Sequence, residues 1–424
     1  MAALSPLFRE RLVGDGRLGI TAVCTAHPLA IEAALRLGRI SGSRVLIEAT
    51  CNQVNQDGGY TGMTPAAFRD FVRAIAERVG FPPDNLLLGG DHLGPNPWKT
   101  RPADEAMAKA ATMIKAYAEA GFTKLHLDTS MGCLGEASAL PDEVTAERAA
   151  ALAKVAEAAS SEVRPIYVIG TEVPVPGGAQ HALDGLVVTR PEAALRTVEV
   201  HRRAFARAGV EAAFSRIVGV VVQPGVEFGN ADVMVYDRPA AAALREALPH
   251  LGGAVFEAHS TDYQPAQALR DLVEDGFAIL KVGPWLTFAM RQALYGLDAV
   301  ARVLGRTPRN EESLLETMER VMLARPNDWA AYYPGDPASQ HIQRHFSYSD
   351  RIRYYWPERE AQLAVERLLG RLGDDPIPMP LVGQFLGWLL PEVADGRCQP
   401  RAHDVLIASV QQVLAVYGDA CRPT

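Results

Sequence analysis

Eight short apolar segments of β-rich composition recur along the first two-thirds of the chain and alternate with stretches that resemble helices. Most are continuously apolar, which is the pattern of strands buried on both faces of a parallel sheet. Eight such strands favour a (β/α)8 barrel; an open doubly wound sheet is the alternative, although no GxGxxG motif follows the first strand. The predicted strands are Gly19–Val23, Arg44–Ala49, Leu86–Gly90, Lys124–Asp128, Ile166–Gly170, Ile217–Gln223, Ala254–Ala258 and Ala278–Val282.

The segments between these strands carry signals for the ends of helices. Thr64 stands before Pro65, which places a capping residue before a proline at the first helical position. Gly121 and Gly209 end two further segments, as a glycine commonly does just after a helix. The predicted helices are Ala66–Val79, Asp104–Ala120, Thr145–Ala159, Pro191–Ala208 and Pro265–Glu274.

The pattern changes after Asp298. Residues 299–424 carry helical signals without a strong buried strand, and a loop rich in Pro, Gly and aromatic residues is predicted over Ala324–Trp356. We therefore predict a TIM-barrel domain over residues 1–298 and a helical C-terminal extension over residues 299–424, packed on the barrel. A separate small domain is the alternative for the second part.

Composition argues against several classes of protein. The 424 residues carry a formal net charge of −8 and contain no basic run, so no nucleic-acid partner is expected. No apolar stretch approaches the roughly 18 residues that span a bilayer, and the first residues lack the apolar centre of a signal peptide. The five cysteines are widely spaced without a CxxC motif, which is typical of reduced thiols in a cytoplasmic protein.

Every predicted strand presents a polar or titratable residue at or near its carboxyl end. The carboxyl ends of barrel strands form the functional face, so these residues are expected to meet at one rim. Burying unpaired charges is costly, and a purely structural barrel has little reason to collect them there. The candidates are His27, Glu48, Asn52, Gln53, Asp91, His92, Asn96, His126, Asp128, Ser130, Glu172, Gln223, Glu257, His259, Ser260, Thr261, Asp262 and Lys281.

Histidine, carboxylate and amide side chains in one pocket are suited to a divalent ion such as Zn²⁺ or Mn²⁺. The chain has no HExxH motif and no compact Cys/His cluster that would fix the ligands. It also lacks a GxxxxGK[ST] loop, the protein-kinase signatures and a serine nucleophile elbow, so no nucleotide cofactor is expected.

Five longer segments carry a more specific pattern: Leu46–Pro65, Gly89–Asn96, Ile169–Gly178, Glu257–Gln264 and Ser349–Pro357. In this order they resemble the Z subunit of class II D-tagatose-1,6-bisphosphate aldolase, and the likeness covers essentially the whole chain. The resemblance implies a role in galactitol, N-acetylgalactosamine or tagatose breakdown. In that family the Z subunit is regarded as non-catalytic and supports the activity and stability of a separate catalytic subunit.

Some relatives in the family are described as ketohexose 4-epimerases, and members were once labelled tagatose-6-phosphate kinases. A weaker resemblance to the catalytic class II aldolases implies proton transfer by Asp91 and metal binding by His92. Those enzymes have further histidine ligands where this chain has Gln223 and Glu257. Their glycine-rich phosphate loop is replaced here by His259–Asp262, which departs from a classical aldolase.

Two hypotheses of different class follow. In the first, the chain is the accessory subunit and docks a catalytic aldolase chain through an exposed apolar patch. In the second, the pocket binds a divalent metal and acts on a ketohexose or its phosphate, as a 4-epimerase or a lyase. A Schiff base on Lys281 is an alternative chemistry. A tagatose-6-phosphate kinase is a residual alternative, and a homo-oligomer is a further possibility for the assembly.

The enzyme hypothesis gives each candidate a role. Asp91 or Glu48 is the base, and Lys281 stabilises the developing enediolate. The catalytic candidates are Asp91, Glu48, Lys281 and Asp128; the substrate-binding candidates are Asn52, Gln53, Asn96, Ser130, Ser260, Thr261 and Asp262; the metal-ligand candidates are His92, Glu172, Gln223, Glu257 and His259.

Overall fold

A closed barrel of eight parallel strands forms the centre of the computed structural model, which describes residues 18–160, 163–171 and 186–422. Strands that follow one another in the chain are neighbours in the barrel. The barrel strands are β1 Ile20–Cys24, β2 Val45–Thr50, β3 Leu86–Leu93, β4 Lys124–Leu127, β5 Ile166–Ile169, β6 Ile217–Val222, β9 Val255–Ala258 and β10 Phe277–Val282. The predicted (β/α)8 barrel is confirmed.

A small hairpin interrupts the alternation after β6. Its strands, β7 Glu227–Phe228 and β8 Val233–Met234, pair antiparallel outside the barrel. These two strands carry no signal in the sequence, because two residues are too few for a periodic pattern.

Helices surround the barrel and make up the C-terminal extension. In the barrel part they are α1 Pro28–Ser41, α2 Pro65–Arg78, α3 Ala103–Glu119, α4 Asp142–Ala159, α5 Pro191–Ala208, α6 Glu211–Phe214, α7 Ala242–Ala247, α8 Ala266–Glu274 and α9 Pro284–Val303. In the extension they are α10 Leu314–Ala324, α11 Pro337–Phe346, α12 Arg359–Leu372, α13 Met379–Phe385, α14 Leu390–Ala394 and α15 Ala402–Cys421. None of the helices in the described ranges is long and apolar enough to span a bilayer.

Local signals in the sequence account for several helix ends. Oγ1 of Thr64 accepts a hydrogen bond from the backbone N–H of Ala67, and Pro65 occupies the first turn of α2. Gly209 ends α5 with a φ of 73°, in the left-handed region that glycine enters without steric cost.

The segment Ala324–Trp356, for which the sequence predicted a loop, is partly helical. It contains α11 and a 3-10 helix over Arg351–Tyr355. The carboxylate of Asp336 caps α11 by accepting a hydrogen bond from Ser339 N at 2.8 Å. Four aromatic residues of the segment are buried, and Tyr348 packs the segment against Tyr263 and Phe288 of the barrel part.

The last helix, α15, returns to the barrel and packs against α1, α8, α9 and β1. Gly19 N donates a hydrogen bond to the carbonyl oxygen of Cys421 at 3.0 Å, and a Cβ on Gly19 would lie 2.9 Å from Sγ of that cysteine. Barrel and extension share one apolar core. The predicted boundary at residue 298 lies inside α9, and the division of the chain there stays a prediction.

Candidate active site

Buried charged groups from five strands meet inside the barrel. Glu48 contacts two lysines: Oε1 lies 2.6 Å from Nζ of Lys124, and Oε2 contacts Nζ of Lys281. Lys124 also lies 2.7 Å from Oε2 of Glu257, and Lys281 lies 2.8 Å from Oδ1 of Asp91. Each of these charges has an opposite charge within reach, which offsets the cost of removing it from water.

Three histidines adjoin this ion-pair cluster. Nδ1 of His126 lies 2.8 Å from Oδ1 of Asp91, and Nε2 of His259 lies 3.0 Å from Oε1 of Glu257. The ring centroid of His92 is 5.2 Å from that of His126 and 4.8 Å from that of His259. Carboxylates therefore orient the imidazoles on one side of a common space.

Strand β3 departs from regular geometry where it carries Asp91 and His92. Its register with β4 shifts within this segment, and His92 has a φ of 49°, which non-glycine residues seldom adopt. Nδ1 of His92 lies 2.7 Å from Oδ2 of Asp128, whose Oδ1 accepts a hydrogen bond from Oγ of Ser130 at 2.8 Å. Strained backbone that is held by such contacts is typical of functional sites.

The glycines around the Asp-His pair make room for the cluster. A Cβ on Gly89 would lie 2.7 Å from Oε1 of Glu48, and a Cβ on Gly94 would lie 1.6 Å from the carbonyl oxygen of Asp128. The Gly89–Gly94 segment thus brings β3 close to the side chains of β2 and to the end of β4.

The cluster shifts the pKa of its members. Burial opposes ionisation of Asp91, but His92 and Lys281 outweigh it and hold the pKa of this carboxyl well below its ordinary value. Burial likewise opposes the charge of Lys281, but the carboxylates, Asp91 first, raise the pKa of this ammonium well above its usual range. Burial lowers the pKa of His259 to about 4 and raises that of the Cys24 thiol, so the imidazole and the thiol are uncharged near pH 7.

A divalent cation fits this donor set. Ligand atoms of four residues lie within 4.8 Å of one another, and the buried Nε2 of His126 has no hydrogen-bond partner within the part of the chain that the structure describes. The cluster contains four carboxylates against two ammonium groups, and, although burial opposes it, Asp91 and Asp128 raise the pKa of the neighbouring His92. An excess of carboxylates beside imidazole nitrogens is a donor set suited to a divalent cation. The four residues are Asp91, His126, Glu257 and His259.

The cluster opens into a cavity of about 90 Å³ between the barrel and the extension. Eight predicted candidates line it: Asn52, Gln53, Asp91, His92, His259, Ser260, Asp262 and Lys281. Glu48, Asp128 and Glu257 are buried behind this surface and contact the residues that form it.

Other predicted residues have different contacts. Oε1 of Gln223 accepts hydrogen bonds from the backbone N–H groups of Gly225 and Val226, so this oxygen stabilises a loop rather than lying free for a metal. Thr261 donates from Oγ1 to the carbonyl oxygen of Lys281 at 2.5 Å, and so holds β10 rather than lining the cavity.

Two further candidates lie behind the cavity, and one falls outside the described ranges. Ser130 supports Asp128, and Asn96 begins a short 3-10 helix beside Cys51. Glu172 lies outside the described residues, so its predicted role as a metal ligand stays a prediction.

Comparison with known proteins places this barrel in a family. The model of the family described as D-tagatose-1,6-bisphosphate aldolase subunit GatZ/KbaZ-like matches residues 7–422. The chain belongs to this GatZ/KbaZ-like family. The resemblance inferred from the sequence motifs is therefore confirmed.

Two relatives of this GatZ/KbaZ-like chain are informative. A protein of Agrobacterium fabrum (strain C58 / ATCC 33970), named D-tagatose 6-phosphate 4-epimerase, is 52% identical over 422 residues, which cover 99% of this chain and 98% of that protein. A crystal structure from Sinorhizobium meliloti 1021, of a "probable tagatose 6 phosphate kinase", matches with a TM-score of 0.89 and 58% identity. The match covers 95% of this chain and 100% of that one.

Sequence reasoning missed part of the cavity wall of this GatZ/KbaZ-like protein. Tyr60, Phe228, Arg353 and Tyr354 also line the cavity, and none was proposed as a site residue. The signal for the last two was the Ser349–Pro357 motif, which supported the family resemblance but was not linked to the barrel. Tyr60 likewise lies inside the Leu46–Pro65 motif.

Proposed function

We propose that this chain is a ketohexose 4-epimerase that cleaves and re-forms the bond between C3 and C4 of the sugar. The observation that carries the proposal is the convergence of Asp91, Lys281 and His259 on one cavity, where a base, a cation and a neutral imidazole can reach the same substrate. The 52% identity to a protein named D-tagatose 6-phosphate 4-epimerase supports it.

Asp91 is the residue suited to remove the proton of the C4 hydroxyl group. Its Oδ1 contacts His126 and Lys281, and its Oδ2, which has only the longer contacts of 3.8 Å with Sγ of Cys24 and 3.7 Å with Nε2 of His92, is the oxygen suited to accept the proton. The oxygen on C4 then becomes the carbonyl oxygen of an aldehyde as the C3–C4 bond breaks. The electron pair of that bond passes into an enediolate over C2 and C3. After the aldehyde turns its other face, C3 attacks C4, the proton returns from Asp91, and no net oxidation or reduction has occurred.

Lys281 is suited to stabilise the negative charge of the enediolate. The carboxylates around it raise its pKa, so the amine stays protonated; this opposes the Schiff-base route, which needs a neutral amine. Glu48 contacts both Lys281 and Lys124 and does not line the cavity. We therefore assign Glu48 a positioning role and the base to Asp91.

The residues that would hold a divalent cation are His126, Glu257 and His259, with Asp91 completing the set. Such an ion, when bound, supplies a Lewis acid for the ketose carbonyl group. The contact of His92 with Asp128 keeps that imidazole fixed beside the set.

The test is interconversion of fructose 6-phosphate and tagatose 6-phosphate by the purified chain, after loading with Mn²⁺ or Zn²⁺. We expect Asp91→Asn to lower kcat by about 100-fold or more, since general base catalysis contributes about 10²–10⁴-fold. Asp70→Asn, at an exposed carboxylate on α2, is the matched control and should keep full activity. Absence of turnover in the native chain, or an active Asp91→Asn variant, would contradict the proposal.

The accessory role is the second candidate, and the description of the family as an aldolase subunit favours it. It requires a surface for the catalytic chain. Ile342 and Phe346 lie one turn apart on α11 and are 59% and 48% exposed, which makes this helix a candidate contact. Co-expression with a catalytic aldolase chain should then give a complex that Ile342→Lys weakens; separate elution of the two chains would count against this role.

A further inference from the structure

Arg353 belongs to the C-terminal extension, yet its side chain lines the barrel cavity together with Asp91 and Lys281. It also lines an adjoining cavity of about 270 Å³, which extends toward His27 and α1. The two cavities meet at this arginine and at Tyr60.

The guanidinium of Arg353 forms no salt bridge with any residue in the described ranges. Nη1 donates to the backbone carbonyl oxygens of Ser349 and Asp350, and Nη2 donates to Oη of Tyr354 at 2.9 Å. Of its five N–H groups, the one on Nε and one on Nη2 thus have no acceptor among the described residues. These two N–H groups are available to donate to the oxygens of a phosphate or carboxylate.

The contacts of Arg353 also fix the orientation of its guanidinium group. The guanidinium carbon lies 4.4 Å from the ring centroid of Tyr354, and that ring packs edge-on against Tyr60 with centroids 4.8 Å apart. Asp262 and Asp350 interact electrostatically with this guanidinium but form no salt bridge with it. A preorganised charge of this kind binds an anion with little loss of side-chain entropy.

The usual anion position of a barrel is occupied by the protein itself. Phosphates commonly bind near the helix that follows the last strand, at its N-terminus. Here Oδ1 of Asp262 accepts hydrogen bonds from Gly283 N at 3.0 Å and Trp285 N at 2.8 Å, at the start of α9. An anion entering the cavity is therefore directed away from this terminus and toward Arg353.

We infer that Arg353 binds the phosphate group of a phosphorylated ketose. The sugar part of this inference rests on the proposed function. In this arrangement C4 of the ketose lies at Asp91, and the phosphate on C6, two carbons further along the chain, is assigned to Arg353, which lines the same cavity. The extension thus selects phosphorylated substrates, and the barrel supplies the chemistry.

The first test compares two substrates in the metal-loaded enzyme. In Arg353→Gln we expect kcat/KM for tagatose 6-phosphate to fall by about 100-fold, the loss of a charge-assisted pair of about 3 kcal/mol, while turnover of unphosphorylated tagatose changes by less than about threefold. Arg359→Gln removes an exposed arginine six positions later and should behave like the native enzyme. Equal losses on both substrates would make Arg353 a structural residue and overturn the inference.

The second test does not depend on turnover. Binding of tagatose 6-phosphate and of inorganic phosphate is measured by calorimetry with EDTA present, and circular dichroism checks the fold of each variant. The native chain and Arg359→Gln should bind the sugar phosphate at least about tenfold more tightly than inorganic phosphate, and Arg353→Gln should bind neither.

Each outcome of the binding test has a distinct meaning. Binding that survives in Arg353→Gln overturns the phosphate site, and equal affinities in the native chain would indicate a site for free phosphate instead. Binding that depends on Arg353 in a chain without epimerase activity would reject the proposed function and keep the phosphate site.

Discussion

The carboxyl group of Asp262 is buried beside the cavity, near Arg353 and Glu227. Burial raises its pKa to about 6, against an ordinary value of 3.8, although two backbone N–H groups and Arg353 act in the opposite direction. The folded protein therefore binds this proton more tightly than the unfolded chain does. The resulting stabilisation is complete below about pH 4 and is lost as the pH rises through about 6.

Asp262→Asn should remove this pH dependence, because the amide is neutral and its oxygen can still accept the two hydrogen bonds. We expect the variant to be more stable than the native chain at pH 8 by about 3 kcal/mol, which is the equivalent of about two pKa units, and equally stable at pH 4. Urea unfolding at both pH values measures the difference. A gain of the same size at pH 4 would show that ionisation is not its cause.

At the scale of residues, the sequence identified the charged members of the site but not their division of labour. Asp91, His259 and Lys281 lie at or just after the carboxyl ends of strands and meet at the cavity, as expected. Gln223 has the same position at a strand end, yet its oxygen bonds its own loop. The position of a residue at the end of a strand predicts the direction of its side chain. It does not predict the hydrogen-bond partners of that side chain, because these depend on the loop conformation.

Strand β3 is the element whose backbone most directly shapes the site, since its glycines let it approach Glu48. Gly89→Ala should displace the Glu48 side chain and, through it, Lys281. We expect a loss of about 1–3 kcal/mol in unfolding free energy from overpacking, together with a lower kcat.

The control for this prediction is Gly370→Ala in α12, where an added Cβ meets nothing within 4 Å. That change should raise stability by about 0.5–1 kcal/mol, because alanine favours the helix. Denaturant midpoints and activity of the two variants separate a steric effect at the site from a general effect of the added methyl group. Native kcat in Gly89→Ala would contradict the role given to β3.

Elements with a strong periodic or capping signal were predictable from sequence, and elements fixed by tertiary contacts were not. All eight barrel strands lie close to their predicted positions, and α2 begins at the predicted cap. The 3-10 helix over Arg351–Tyr355 had no such signal. Its aromatic residues show no helical period in the sequence, and the element forms because tertiary contacts bury them.

At the scale of the molecule, α15 occupies a place in the outer ring of helices between α1 and α8. A chain that ends at residue 298 would expose the apolar surface that this helix covers, including side chains of α9. We expect this fragment to aggregate or to lack a cooperative thermal transition, whereas the whole chain should unfold in a single cooperative transition. A soluble fragment with a native-like melt would instead establish residues 1–298 as an independent domain.

The return of α15 to β1 joins residues about 400 positions apart, and no local pattern in the sequence encodes such a contact. Composition predicted that the extension is helical and packed on the barrel. It did not predict that the extension would complete the ring or reach into the cavity, since both depend on the path of the chain between α9 and α15.

Placing Arg353 outside the barrel has a consequence for how this fold diversifies. The reacting groups belong to strands that constrain one another through shared ion pairs, so a change in one requires changes in others. The Arg353 segment is held to α9 through contacts of Asp350 with Thr287 and Arg291. Arg353 itself takes no part in the ion pairs between the strands, so this residue can vary without disturbing them. New sugar preferences are thus within reach of a few substitutions in one short stretch, and an engineer who wants a different ketose should randomise there first.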